Sequence, residues 1–223
     1  MNKPLDFSII NWAEIMTGTE DTLKMLGFSS LFTIILGIPL GIMLYLWGRS
    51  SAWQIQLMYT IVSILVNILR SIPFIILMIA LIPVSRELVG TSIGVKGFIP
   101  TLVIGAAPFL ARLVETSLRE VDRGVIEAAQ GMGASTWQIV TRVLLPEARP
   151  GLIAGITITV VTLVSYTAMS GTVGGGGLGD LAIRYGYHRY QREVMIVSII
   201  LLVVLVQLLQ MAGDRLVRHY TRK

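Results

Sequence analysis

Apolar residues in this chain fall into long blocks. They do not form the alternating pattern of a half-buried strand or the one-sided stripe of a surface helix. No Asp, Glu, Lys or Arg occurs in residues 25–48, 97–111, 150–179 or 194–213, and residues 50–85 carry only Arg70. About twenty consecutive apolar residues cross a bilayer as a helix. The pattern predicts an all-α membrane protein, a single domain over 1–223 with about five transmembrane helices. They lie near 25–47, 57–83, 97–118, 151–171 and 194–213. Asp6, Glu14, Glu20 and Asp21 precede the first block, which is too long for a signal-peptide core. Residues 1–22 therefore read as an amphipathic lead-in at the membrane surface.

Between the third and fourth blocks lies a polar stretch, 122–146, whose signals are those of a helical hairpin. Asp122 can cap a short helix over Val125 to Met132, and Gly133 suits a left-handed C-terminal cap. Ser135 and Gln138 have the spacing of a capping box opening a second helix, which runs to about Leu144 and stops before Pro146. Ala128 and Ala129 leave the first helix thin enough to enter a groove on another protein.

Composition agrees with a membrane protein: 54% of residues are hydrophobic and 14% charged, too few charges for a soluble surface. There is no cysteine, which excludes disulfides and thiolate metal sites. The net charge of +5 sits mostly in arginines at span ends, with no basic–aromatic cluster suited to nucleic acid. Placing the C-terminus in the cytoplasm gives that side nine basic residues (Arg49, Arg119, Arg123, Arg142, Arg149, Arg215, Arg218, Arg222, Lys223) against seven (Lys3, Lys24, Arg86, Lys96, Arg184, Arg189, Arg192). The positive-inside rule favours that orientation. His188 and His219 have no metal-ligand companion.

Within the spans, Gly37/Gly41 and Gly151/Gly155 permit close helix contact, read as packing within the chain, and Pro39 marks a kink. Arg112, Glu115 and Arg119 follow one another at helical steps of three and four residues and read as a solvated or interfacial ion-pair face at the cytoplasmic end of a span. Arg70, deep in the second block, needs a partner. Either a carbonyl freed by Pro73 serves, or Arg70 meets an anionic group on a cargo. Met169, one turn beyond Ser165 and beside Tyr166, either lines a narrow transport path or fills space between helices. Gly174–Gly179 contains a Gly-x-Gly-x-x-Gly but follows a span, so it reads as a turn at the outer surface and not as a dinucleotide loop. No Gly-x-x-x-x-Gly-Lys-Ser/Thr occurs, so any ATP-driven motor must be a separate subunit.

Glu127-Ala128-Ala129 with Gly133 and Val143-Leu144-Leu145-Pro146 resembles the EAA loop of bacterial ABC import permeases, which docks on an ATP-hydrolysing subunit. Val143 stands where that family usually has isoleucine, also an apolar β-branched residue. Arg70–Phe74, Ala107–Glu115, Ala168–Gly171 and Gly174–Asp180 with Tyr185–Tyr187 resemble the methionine-uptake permeases within that group. The resemblance implies an ABC type I importer permease fold in a bacterial inner membrane, with a cytoplasmic coupling-helix hairpin and an external N-terminus. It implies coupling roles for Glu127, Ala128, Ala129, Gly133, Ser135, Leu145 and Pro146. It also implies a homodimer, two copies of a cytoplasmic ATPase that uses ATP and Mg, and an external methionine-binding lipoprotein. This chain itself would bind no cofactor. A permease for another small amino acid or nutrient is the alternative. An ion-coupled secondary transporter or a membrane scaffold are others, and the scarcity of intramembrane acids speaks against ion coupling.

Overall fold

Helix α1 runs unbroken from Trp12 to Trp47 in the computed structural model, which describes residues 6–221. Residues 12–22 are thus part of the first long helix, not the separate lead-in expected from their charges. Local chemistry explains the continuity. The Asn11 side chain accepts from the Ala13 N–H at 3.1 Å, and the Glu20–Lys24 pair, 2.8 Å apart, spans one turn. Pro39 lies within the helix.

The second expected span, 57–83, is broken. Helix α2 covers Trp53–Ser71 and α3 covers Phe74–Ala80, with a 106° bend between them. Pro73 causes the break, because it offers no N–H and disfavours helical backbone at Ile72. Its carbonyl then starts the next helix by accepting from Ile76 and Leu77. α4 (Ile82–Val89) ends at Gly90. The remaining long helices match the expectation: α5 spans Gly94–Arg119, and after the hairpin come α9 (Arg149–Ser170) and α11 (Arg192–Thr221). Among the described residues α1, α5, α9 and α11 are long and apolar enough to cross a membrane, and the bent α2–α3 pair is a fifth candidate. The glycine-rich segment is a turn followed by the short helix α10 (Gly177–Leu181). Lys3, Arg222 and Lys223, counted in the charge bias, lie outside the described residues.

The chain divides into two compact units. Among the described residues the first comprises 6–33, 72–106 and 160–209. Its core holds Met25, Phe74, Met78, Phe98, Leu102 and Leu163, and a smaller cluster gathers Ile10, Ile15, Leu178, Leu181 and Val194. In the second unit, residues 34–71, 107–159 and 210–221, the core is Tyr45, Leu110, Val114 and Leu118 with residues of the hairpin. Many large apolar side chains are exposed on α11, among them Ile199, Ile200, Val203, Val204 and Leu208. On a water-soluble protein such a face would be a liability, whereas lipid tails solvate it.

Candidate functional site: the hairpin and the helix that carries it

The hairpin begins where α5 ends. Asp122 accepts from the Gly124 and Val125 N–H groups at 2.7 and 3.3 Å and caps α6, Arg123–Gly131. The far end of α6 closes with two bonds, Gly133 N–H to the Gln130 carbonyl and Ala134 N–H to the Ala129 carbonyl. This Schellman arrangement needs a left-handed residue, and Gly133 has φ 79°. Ser135 then caps α7 (Thr136–Ile139) through the expected reciprocal box. Its N–H donates to Gln138 Oε1 at 2.8 Å, and the Gln138 N–H donates to Ser135 Oγ at 3.3 Å.

The second arm does not stop before Pro146. It widens into a π-helical turn over Val140–Leu144 and continues as α8, Leu145–Glu147, directly before α9. The wider turn bonds the Leu145 N–H to the Val140 carbonyl, five residues back. That spacing lets the chain carry a proline ring without the clash it would make in a regular α-helix.

Ile126, Ala129, Ile139, Val140 and Leu144 point inward and pack on Tyr45, Leu110, Val114 and Leu118, with half-buried Leu145 against the cluster. Val125, Glu127, Ala128, Met132 and Trp137 point out, the last two 82% and 74% exposed. Val125, Ala128 and Met132 sit at i, i+3 and i+7, one row along the outer face of α6. The two alanines therefore have separate tasks. Ala128 thins the outer face as expected, while Ala129 is buried against its own chain.

Above the hairpin, Arg112, Glu115 and Arg119 do form a ladder, with the Arg119 side chain half exposed but the central carboxylate buried. Glu115 is 2% exposed. Its carboxylate bonds Arg112 Nη1 at 2.5 Å and Arg119 Nη2 at 2.7 Å, and accepts from the Tyr59 hydroxyl at 3.3 Å. Arg112 Nη2 donates to the Ser63 carbonyl and Asn67 Oδ1, each at 3.2 Å, and to Ser63 Oγ. These partners come from α2, where Tyr59, Ser63 and Asn67 recur every four residues on one face. That polar row was a readable signal inside a block taken only as an apolar span. The glycine pairs pack within the chain as expected. A Cβ on Gly41 would lie 2.6 Å from Val114 Cβ and from the Ala111 carbonyl, and one on Gly151 would lie 2.8 Å from Ser117 Oγ.

The proposed path residues fare differently. Arg70 is exposed, not buried, and its guanidinium sits 5.8 Å from the Phe109 ring centroid, a cation–π contact in place of a proline-freed carbonyl. Ser165 and Met169 share the exposed face of α9, and Ser165 borders a shallow pocket of about 230 Å³ with Ala168, Leu202 and Gln207. Tyr166 points elsewhere. Its ring stacks flat on Phe74, centroids 3.7 Å apart, against the first unit's core.

A family described as "binding-protein-dependent transport system inner membrane component" matches residues 37–223. The chain is 50% identical over 204 residues to a protein of Vibrio cholerae named as a probable D-methionine transport system permease, covering 92% of this chain and 91% of the relative. It is 50% identical over 209 residues to the D-methionine transport system permease of Escherichia coli K12, covering 94% and 96%. A solved chain of the MetNI methionine ABC transporter in an inward-facing conformation superposes with a TM-score of 0.90 at 49% identity, covering 95% of this chain and 98% of that one. Its helices and these likenesses make the chain a multi-pass permease that belongs to the family of binding-protein-dependent transport system inner membrane components.

Proposed function

We propose that this chain is the membrane-spanning subunit of an ATP-driven importer and forms the translocation path for methionine. The observation that carries the reading is the hairpin, capped at both its helices, seated on α5, and presenting a thin apolar row beside Glu127. Such a surface fits a groove on a partner. We assign that partner as a cytoplasmic ABC ATPase, two copies serving a homodimer of this chain, with ATP and Mg used by the ATPase alone. Glu127 and Ala128 face it, Ala129, Leu145 and Pro146 seat the hairpin, and Gly133 and Ser135 shape it. An external methionine-binding lipoprotein delivers the substrate. Ser165 and Met169 on the open face of α9 line the path, and Arg70 is available to the substrate carboxylate. The scarcity of acids within the spans speaks against ion coupling.

Reconstitution of the permease with its ATPase and binding protein, assayed with a panel of free amino acids, tests the function. Methionine uptake that requires ATP is the expected result. Uptake driven by an ion gradient without the ATPase would reject it. We assign the N-terminus to the outside and the C-terminus to the cytoplasm. A cysteine at Thr91 should label in intact cells and one at Gln130 only after permeabilisation, and the opposite pattern would overturn that orientation.

A further inference from the structure

The stretch of α5 from Phe109 to Arg119 carries two different loads. One face holds the hairpin through Leu110, Val114 and Leu118. Another holds α2 through a series of polar contacts. Tyr59 meets Glu115 and Arg119, Ser63 and Asn67 meet Arg112, and Arg70 lies over Phe109. Residue numbers rise on α2 as they fall on α5, so the helices run antiparallel and the contacts form successive rungs. Glu115 is at the centre, a buried carboxylate shared by two guanidiniums and a hydroxyl.

Adhesion alone does not require these charges. Val66 of α2 and Ala111 of α5 also share a buried apolar cluster with Leu44 of α1, packing that does not depend on the charges. Buried ion pairs add little net stability over apolar packing, but directional bonds fix one register between two helices. We propose that Glu115 is a positioning residue that makes α2 and α5 a single body under the hairpin, so that displacement of the hairpin by the ATPase reaches α2. The proposal rests on the transport reading above. Without the Glu115 charge the two arginines repel each other, α2 can slide, and hydrolysis proceeds with less transport.

The test is ATP consumed per methionine imported, measured in proteoliposomes of the complete complex. Glu115→Gln should copurify its ATPase as the wild type does and hydrolyse ATP, yet use about tenfold more ATP per methionine. Glu115→Asp should recover part of that loss. Tyr59→Phe and Ser63→Ala each remove one hydroxyl without stranding a charge, and should shift the ratio the same way by less. They carry the test if Glu115→Gln fails to assemble. An unchanged ratio across the series overturns the proposal. So does a parallel fall in hydrolysis and uptake in Tyr59→Phe and Ser63→Ala, with the ratio unchanged, which marks a purely structural role. A wild-type complex that imports no methionine would overturn the transport reading instead, and the proposal with it.

Discussion

Helix α5 meets α1 and α2 by opposite means. Against α1 it packs on two glycines of that helix. Gly37 lets Leu110 approach and Gly41 lets Ala111 and Val114 approach, with no polar atom of either side chain involved. Against α2 it has a carboxylate, two guanidiniums, two hydroxyls and an amide. In a bilayer apolar side chains gain little by leaving lipid, so helix contacts rely on close fit or on polar bonds. The α1 contact uses fit and the α2 contact uses bonds. Fit tolerates sliding along a smooth groove, whereas bonds hold one register. The α2 contact is thus the better candidate to transmit a push.

Four substitutions sharpen that contrast, and the largest effect is expected at the bonded contact. Glu115→Ala leaves Arg112 and Arg119 without their carboxylate and should cost about 3–5 kcal/mol. A fall in the thermal midpoint in detergent measures it, and a midpoint within a degree of wild type would contradict the burial. Gly41→Val forces side-chain atoms into Val114 and should cost about 1–3 kcal/mol. Its signature differs, with lowered thermal stability at an unchanged ATP-to-substrate ratio, and a raised ratio would show that fit transmits too. Ser135→Ala removes one capping bond of the hairpin and should cost about 1 kcal/mol. Faster hydrogen exchange at the Gln138 amide is the readout, with α2 and α5 amides unaffected. Arg70→Ala breaks only an exposed cation–π rung, about 0.5–1 kcal/mol. If uptake nevertheless disappears in a stable complex, Arg70 meets the cargo and does not merely complete the α2 contact.

The hairpin was legible because caps are local. Asp122, Gly133 and the Ser135–Gln138 box depend on residues within a turn of each other, and each behaves as its spacing says. Pro146 was misread because the π-helical turn that accommodates it has no short sequence signature. The burial of Glu115 was hidden for a different reason. Spacing along α5 revealed the ladder, but its burial depends on Tyr59, Ser63 and Asn67 from a helix some fifty residues earlier. Read as one span, the apolar block puts Arg70 deep, whereas the break at Pro73 puts it in the last turn of α2. Gly37 and Gly41 were read correctly as intrachain contacts, though the choice of α5 as their partner needed the fold.

The completed caps of the hairpin also bear on how quickly and with what heat a partner would bind. Its helix ends have hydrogen-bond partners already, and its inner face is already packed. A segment that had to fold on contact would lose about 1–2 kcal/mol of backbone entropy for each residue ordered. This one has paid that cost within its own chain. Its association should therefore be governed by orientation and charge at encounter, with a heat-capacity change no larger than the contact face of Val125, Ala128, Met132 and Trp137 can supply.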